Sequence, residues 1–323
     1  MDSVGTAPTR NRVGAALRTV EWRWWIARLL GWLSLPRKVW LLAAVLIAPA
    51  LLLRLFTSIY PFLATAWTSF TNDSAYQATA EFIGLENYTA LLTDRVARQA
   101  LLFTIAFAGV STLLELVLGF ALALLLNATF KLRGLARAVA LIPWAIPAVV
   151  SALGFRFIFS DGFGIVPHLL GFVGIDIDWL TSPLPAQAAV IIANVWRNVP
   201  FIAFVILAGL QGVPAELYQA AKVDGAGWFR TMWSVVLPLV TPLLITMGVF
   251  MTIFQLGTFD TVFGMTGGGP GTATQVAPYL AYQEAFIGLE YGRASALAML
   301  LFLIVLAVGV LALRWFRRTE VEL

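Results

Sequence analysis

Several polar side chains stand inside stretches otherwise built from Leu, Ala, Val and Phe: Arg54, Glu115, Arg156, Arg197, Gln255 and Asp260. A charge at the centre of a bilayer costs about 2.5–3.5 kcal/mol on insertion scales, so such residues face a bundle interior or water. Arg197 belongs to "NVWRNVP", where Asn194, Trp196 and Asn198 flank it, and Gln255 and Asp260 lie at a similar depth of the following apolar stretch. Amides, a guanidinium, a carboxylate and an indole hold a polar solute by hydrogen bonding and stacking; they contain no nucleophile–base pair. Asn194, Trp196, Arg197, Gln255 and Asp260 are therefore expected to line a substrate pathway. The alternative is a structural role: internal pairing, for instance Arg54 with Glu115, or snorkelling to a span end, which suits Arg156.

A second polar stretch, "VPAELYQAAKVDGAGWFR" from Val213 to Arg230, interrupts two of the most apolar parts of the chain. Locally it predicts a helix–turn–helix. Pro214 suits a first helical turn. Glu216 and Lys222 match the two ends of the helix dipole. Asp224-Gly225 is a turn dipeptide with a glycine available for a left-handed cap. A second short segment is expected from Trp228 to Leu237, ending at Pro238. Leu217, Ala220 and Ala221 share a helical face on which small residues allow close approach. A helix of about ten residues is marginal alone. Docking on another protein would stabilise it; folding back on its own bundle as a solvated loop is the alternative.

Composition removes most catalytic chemistry. The 323 residues include no Cys and one His, His168, which excludes disulfides, zinc–cysteine sites and iron–sulfur clusters. A membrane enzyme would have to use His168 with the scattered Asp161, Asp176 and Asp178. None of the three lysines, Lys38, Lys131 and Lys222, follows a glycine, so the phosphate-binding G-x-x-x-x-G-K-[ST] loop is missing. The Gly-rich run "TGGGPGTATQ" at 266–275 has no lysine and is expected to be a flexible outer loop. Charged residues make up 12% of the chain, against about 25% in soluble domains, and the mean hydropathy is +0.86.

The elements that would position these groups are membrane helices. A core about 30 Å thick needs about 20 helical residues. Six stretches qualify, approximately 39–66, 100–126, 137–159, 185–210, 240–263 and 285–313. Pro49, Pro61, Pro143, Pro147 and Pro200 fall inside them, and a bundle with such kinks suits a transport pathway better than a plain anchor. Lys and Arg collect in the N-terminal segment, the 127–137 and 211–239 loops and the tail, while the 67–99 and 160–184 loops are acidic or neutral. Both termini, and the 213–230 stretch, are therefore expected to be cytoplasmic. Residues 1–38, with basic residues among Trp22, Trp24, Trp25 and Trp32, read as a cytoplasmic segment with an interfacial helix at about 15–34, not a cleavable signal. The expected organisation is that segment, a permease domain over 39–315 whose coupling loop is 211–238, and a tail over 316–323. The fold class is an all-α membrane protein with six transmembrane helices, both ends inside.

The stretch Pro214, Glu216, Leu217, Tyr218, Ala220, Ala221, Asp224, Gly225, Ala226, then Phe229, Leu237, Pro238 and Pro242, resembles the E-A-A loop of bacterial ATP-binding-cassette import permeases. "FIGLENY" at 82–88, "LIPWAIPAVV" at 141–150, "WLTSPLPAQAAVIIANVW" at 179–196, "MTGGGPGTAT" at 265–274, "AYQEAF" and "YGRASALAML" resemble sugar-importer permeases of the maltose and glycerol-3-phosphate type. The resemblance runs from about residue 40 to 315, and the Gly-Gly-Gly-Pro loop is similar to that of the first permease of such importers. It implies a non-catalytic, multi-pass subunit of the bacterial inner membrane that takes up an oligosaccharide or disaccharide. The implied partners are a second homologous permease, two ATPase subunits that bind ATP and Mg, an extracytoplasmic solute-binding (lipo)protein, a sugar-type substrate and membrane lipid, with no nucleic acid and no cofactor in this chain. It implies ATPase coupling through Glu216, Tyr218, Gln219, Ala220, Ala221, Asp224 and Gly225. One residue departs from the pattern: Gln219 stands where the family usually has Glu, which removes a charge-assisted contact that Glu216 could replace. A stand-alone secondary carrier and a polytopic membrane enzyme are the rival readings.

Overall fold

A computed structural model of the chain describes residues 37–319, and the side chains of 41–315. The expected interfacial helix at 15–34 and the end of the expected tail lie outside the described residues. Among those residues the protein is helical, without strands; one isolated bridge joins Thr71 and Phe82. That is what lipid demands, because a helix satisfies its backbone N–H and C=O groups within one segment.

The chain divides into two units, Met1–Leu63 and Ala64–Leu323. In the first, α1 (Arg37–Arg54) passes through a five-residue π turn, Leu55–Ile59, into α2 (Tyr60–Thr68), whose residues from Ala64 onward are counted in the second. The widened turn precedes Pro61, which has no N–H for the Thr57 carbonyl. Leu41, Leu46, Leu53 and Phe56 are all exposed, as befits a lipid-facing surface. Arg54 donates to Ser58, one turn along, at 3.4 Å.

In the second unit α2 is followed by α3 (Glu86–Thr93) and the long α4 (Arg95–Asn127). After α4 come α5 (Arg133–Ala140), α6 (Ile142–Ala145), α7 (Ala148–Ile158) and α8 (Ile165–Gly171). The remaining elements are α9 (Pro183–Gln211), α10 (Ala215–Val223), α11 (Trp228–Thr231), α12 (Leu237–Leu256), α13 (Asp260–Met265), α14 (Ala277–Tyr282) and α15 (Tyr291–Thr319). Among the described residues five helices are long and apolar enough to cross a bilayer: Leu41–Thr68, Arg95–Asn127, Pro183–Gln211, Trp228–Leu256 and Tyr291–Trp315.

The expected third span, 137–159, is not one helix. Arg133–Ala145 and Ala148–Ile158 meet at 92°. Pro147 forces the preceding Ile146 out of the helical region, to φ −74° and ψ 131°, and the helix stops there. The fifth expected span also ends early, at Leu256, because Gly257 and Thr258 break the helix before α13.

The most extensive helix pairing is α4 with α9, and α12 packs on α4 beside it. A Cβ on Gly119 would stand 2.7 Å from Cγ2 of Ile202, so the absence of a side chain sets how closely α4 and α9 approach. Around that contact Ala123, Leu126, Ile202, Ile206, Leu210, Val240 and Met251 form one buried apolar cluster. A second cluster, with Phe103, Phe107, Ala152, Ala189, Val262 and Met265, lies where α4 and α9 meet α7 and α13.

Candidate functional site

Between these two apolar clusters lies a polar one. Glu115 of α4 is fully buried, and its Oε1 accepts from Nε2 of Gln255 at 2.5 Å, Nδ2 of Asn198 at 3.2 Å and Nδ2 of Asn194 at 3.4 Å. Asn194 and Asn198 are one turn apart on α9, and Gln255 is the last residue but one of α12, so three helices converge on one carboxylate oxygen. Asn194 also donates to Oε1 of Gln255 at 3.0 Å. Thr258 donates to the same oxygen at 2.9 Å, and Thr261 donates to Oδ1 of Asn194 at 3.4 Å. Buried polar groups are costly unless bonded, and most of these are. The exceptions are Oε2 of Glu115 and the hydroxyls of Ser111 and Thr112, which are buried without a partner on the same stretch of α4.

Arg197 stands at the rim. It is half-buried, donates through a terminal nitrogen to Oδ1 of Asn198 at 3.2 Å, and through Nε to the carbonyl of Ile146 at 3.4 Å. That carbonyl is one of several that the break at Pro147 leaves without a helical partner, and Arg197 bonds it. Of the five expected pathway residues, the structure brings Asn194, Arg197 and Gln255 together. Trp196 faces away, 42% exposed, edge-on to Phe155 at 5.1 Å between ring centres. Asp260 is exposed at the start of α13. Sequence reasoning noticed the charge of Glu115 but not its place as the hub, and it did not single out Thr258 or Thr261.

The 213–230 stretch folds as a capped helix. Pro214 is the residue before α10, not its first residue. Gly225 has φ +73° and closes the helix: its N–H reaches the carbonyl of Lys222 at 3.0 Å, and that of Ala226 reaches Ala221 at 2.9 Å. This pair of bonds is the Schellman arrangement. The expected shared face of Leu217, Ala220 and Ala221 is split. Ala221 is buried and Tyr218 packs into the α4–α9–α12 cluster, while Glu216, Gln219, Ala220 and Val223 point outward. Burial raises the Tyr218 phenol above its ordinary pKa. The expected short second segment also differs. Trp228–Thr231 continues through a π turn, Met232–Val236, into α12, and Pro238, which has no N–H for the Ser234 carbonyl, follows just after the widened turn.

The Gly-rich run is not loose. Gly267, Gly268 and Gly271 all have positive φ, and a Cβ on Gly268 would press on the ring of Tyr279 at 3.1 Å. Thr274, fully buried, bonds the hydroxyl of Thr266 at 2.7 Å and the carbonyl of Gly269 at 2.6 Å. Gln187 of α9 donates to the carbonyl of Ala273 at 2.7 Å. The loop is thereby fastened to the helices beneath it. "FIGLENY" is likewise structural: Asn87 holds the carbonyls of Ser69 and Thr71, and Tyr88 meets the hydroxyl of Ser69.

Asp161, His168 and Asp176 line one cavity of about 460 Å3, but the Asp161 carboxylate accepts from the amides of Leu180 and Thr181, and His168 stands edge-on to Phe172. Among the described residues no group of three or more His, Asp or Glu is placed to hold a metal.

Comparison with known proteins agrees with these features. The family model described as binding-protein-dependent transport system inner membrane component matches residues 115–319. A trehalose/maltose transport system permease protein of Thermococcus litoralis is 38% identical over 274 residues, 84% of this chain and 92% of its own. A sulfoquinovosyl glycerol transport system permease protein of Agrobacterium fabrum is 38% identical over 291 residues, 90% of this chain and 94% of its own. Among solved structures, a bacterial ABC transporter involved in import of the acidic polysaccharide alginate aligns with TM-score 0.76 and 23% identity, over 87% of this chain and 96% of that one, a likeness of fold.

Proposed function

The chain belongs to the family of binding-protein-dependent transport system inner membrane components, and from that premise we propose that it is the first permease of a sugar importer whose ATPase docks on residues 213–230. The sugar reading is supported by relatives of trehalose, maltose and sulfoquinovosyl glycerol transport systems that match along most of the chain.

The observation that carries the coupling role is α10. A nine-residue helix, capped by Gly225 and anchored through Tyr218 and Ala221, turns Glu216, Gln219, Ala220 and Val223 outward. Val223 is 87% exposed and Phe229 82%. A short rigid plug with apolar tips, on a loop that carries Lys222 and Arg230, fits a groove on a cytoplasmic partner. The assembly comprises a second homologous permease, two ATPase subunits that bind ATP and Mg, and an extracytoplasmic solute-binding lipoprotein. Six spans with both ends cytoplasmic follow if the bent pair α5–α7 counts as one, and the distribution of Lys and Arg supports that orientation. The permease domain then covers 39–315, between the basic N-terminal segment and the short tail, in a bacterial inner membrane.

In this reading the cluster of Glu115, Asn194, Asn198 and Gln255 sits on the cargo path, with Arg197 at its rim, while Trp196, which faces away, and the exposed Asp260 stand outside the cluster. When ATPase closure shifts α10, α12 moves with it, since only residues 224–227 separate α10 from the continuous helix Trp228–Leu256 that contains α12. Gln255 at the far end of α12 then exchanges its Glu115 bond for sugar hydroxyls.

Reconstitution with the cognate partners tests this. ATP-dependent uptake of labelled trehalose or maltose that requires both the ATPase and the binding protein is expected. Uptake driven by a proton or sodium gradient without them identifies a stand-alone carrier instead.

A further inference from the structure

The first turns of α4 carry two arginines that the reading above leaves unused. Arg95 and Arg98 are one turn apart and exposed. With Gln99, Leu102, Phe103 and Ala106 they form one face of α4, and that face lines an open cavity of about 500 Å3 whose other wall includes Gln187 of α9. The size is within the range of about 300–1,000 Å3 usual for small-molecule sites. No acidic residue lines it. The nearest acid in sequence, Asp94, is taken: it caps α4 through the amides of Val96 and Ala97 and pairs with Arg293, which also binds Glu284. Among the described residues Arg293 makes every ion pair, so Arg95 and Arg98 have no carboxylate partner.

The two glutamines are fixed from behind by the Gly-rich loop. Gln99 accepts from the hydroxyl of Thr272 at 3.1 Å, and Gln187 donates to Ala273 at 2.7 Å. Each keeps the other half of its amide for a ligand. Planar guanidiniums match carboxylate, sulfonate and phosphate oxygens in a bidentate manner, and amides with an adjacent apolar wall suit sugar hydroxyls and a ring face.

We propose that Arg95, Arg98, Gln99 and Gln187 form a subsite for a saccharide that carries an anionic group, a carboxylate, sulfonate or phosphate. The proposal rests on the reading of the chain as a sugar-importer permease and narrows its cargo class.

The test uses the whole importer complex in nanodiscs, with trehalose and trehalose 6-phosphate as probes that share a skeleton and differ by one anion. In phosphatidylcholine discs the phosphorylated sugar is expected to bind at least tenfold tighter. Arg95→Gln with Arg98→Gln should bring the two sugars to parity, and Arg95→Lys with Arg98→Lys should retain part of the preference. Absence of a preference in the native complex, absence of binding by either sugar, or a preference unchanged in the Gln variant overturns the proposal. If phosphatidylglycerol discs abolish binding of the phosphorylated sugar, the cavity holds lipid headgroups and the cargo role falls. Stimulation of ATP hydrolysis by the solute-binding protein, measured in the same discs, separates the two levels: its loss in the native complex strikes the importer reading, whereas its presence without anion preference strikes the subsite alone.

Discussion

The side-chain amide of Gln255 donates to the carboxylate of Glu115 at 2.5 Å across 140 residues of sequence. It is the shortest of the three amide bonds to that oxygen, and it ties α12 to α4 in the middle of the bundle. Glu115→Ala removes the shared acceptor and leaves buried amide donors of three side chains to find other partners. An unsatisfied buried donor costs about 1–3 kcal/mol, so a loss of about 3 kcal/mol is expected. Glu115→Gln keeps a carbonyl acceptor and should lose less than half of that. Thermal unfolding of the purified complex measures both; equal losses for the two variants would remove the hub role of the acceptor oxygen.

The α4–α9 crossing makes a separate prediction. Gly119→Val would drive a side chain into Ile202, whose Cγ2 lies 2.7 Å from where a Cβ would stand. Overpacking of this kind costs about 1–3 kcal/mol. Adding Ile202→Ala should restore part of the stability, a positive coupling in a double-mutant cycle. Additive losses would mean that the helices do not meet at this point.

How much of this could be read in advance depended on the range of the signal. The Asp224-Gly225 cap, the break at Pro147 and the apolar spans rest on neighbouring residues, so their chemistry is visible in the sequence, although the sharpness of the 92° bend was not. The face that α10 buries could not be read this way, because Tyr218 and Ala221 turn inward only once α4, α9 and α12 provide a surface. The Glu115 hub needs contacts 79, 83 and 140 residues away. An apolar helix with one carboxylate announces that a partner is needed without saying which. The Gly-rich loop misled for a similar reason: its glycines suggested looseness, but they supply the positive φ values that let Thr274 and Gln187 fasten it.

Asp94 links stability to pH. Partial burial draws its carboxyl upward, but the Arg293 guanidinium and the amides of Val96 and Ala97 outweigh that and hold it below its ordinary 3.8. A depressed folded-state value adds stability that is present above the unfolded value and lost as pH falls through the folded one. The melting temperature should therefore decline below about pH 4 through this group, with a weaker decline in Asp94→Asn. At pH 7 Asp94→Asn should cost less than about 1 kcal/mol, because the pair is 28% exposed on each side and screened and Asn still caps the helix. Asp94→Ala should cost about 1 kcal/mol more. Identical acid profiles for Asp94→Asn and the unaltered protein would show that the Arg293 pair contributes nothing.

The outward face of α10 predicts a division between neighbouring alanines. Ala220 is exposed and Ala221 is 8% exposed. Ala220→Asp places a carboxylate on the docking face without touching the packing beneath. Membrane insertion and folding should be normal, while ATP hydrolysis stimulated by the binding protein should fall at least about tenfold, which corresponds to about 1.4 kcal/mol of lost coupling. Ala221→Asp instead buries the charge against Tyr218 and its neighbours and should lower the yield of folded protein. Gln219→Glu should keep or raise stimulated hydrolysis, since it offers a basic partner a charge-assisted bond, and Gln219→Lys should lower it. Stimulated hydrolysis in reconstituted complexes, with ATPase association followed by co-purification, reads all four variants. Full stimulation in Ala220→Asp with the ATPase still bound would place the coupling contact somewhere other than this face.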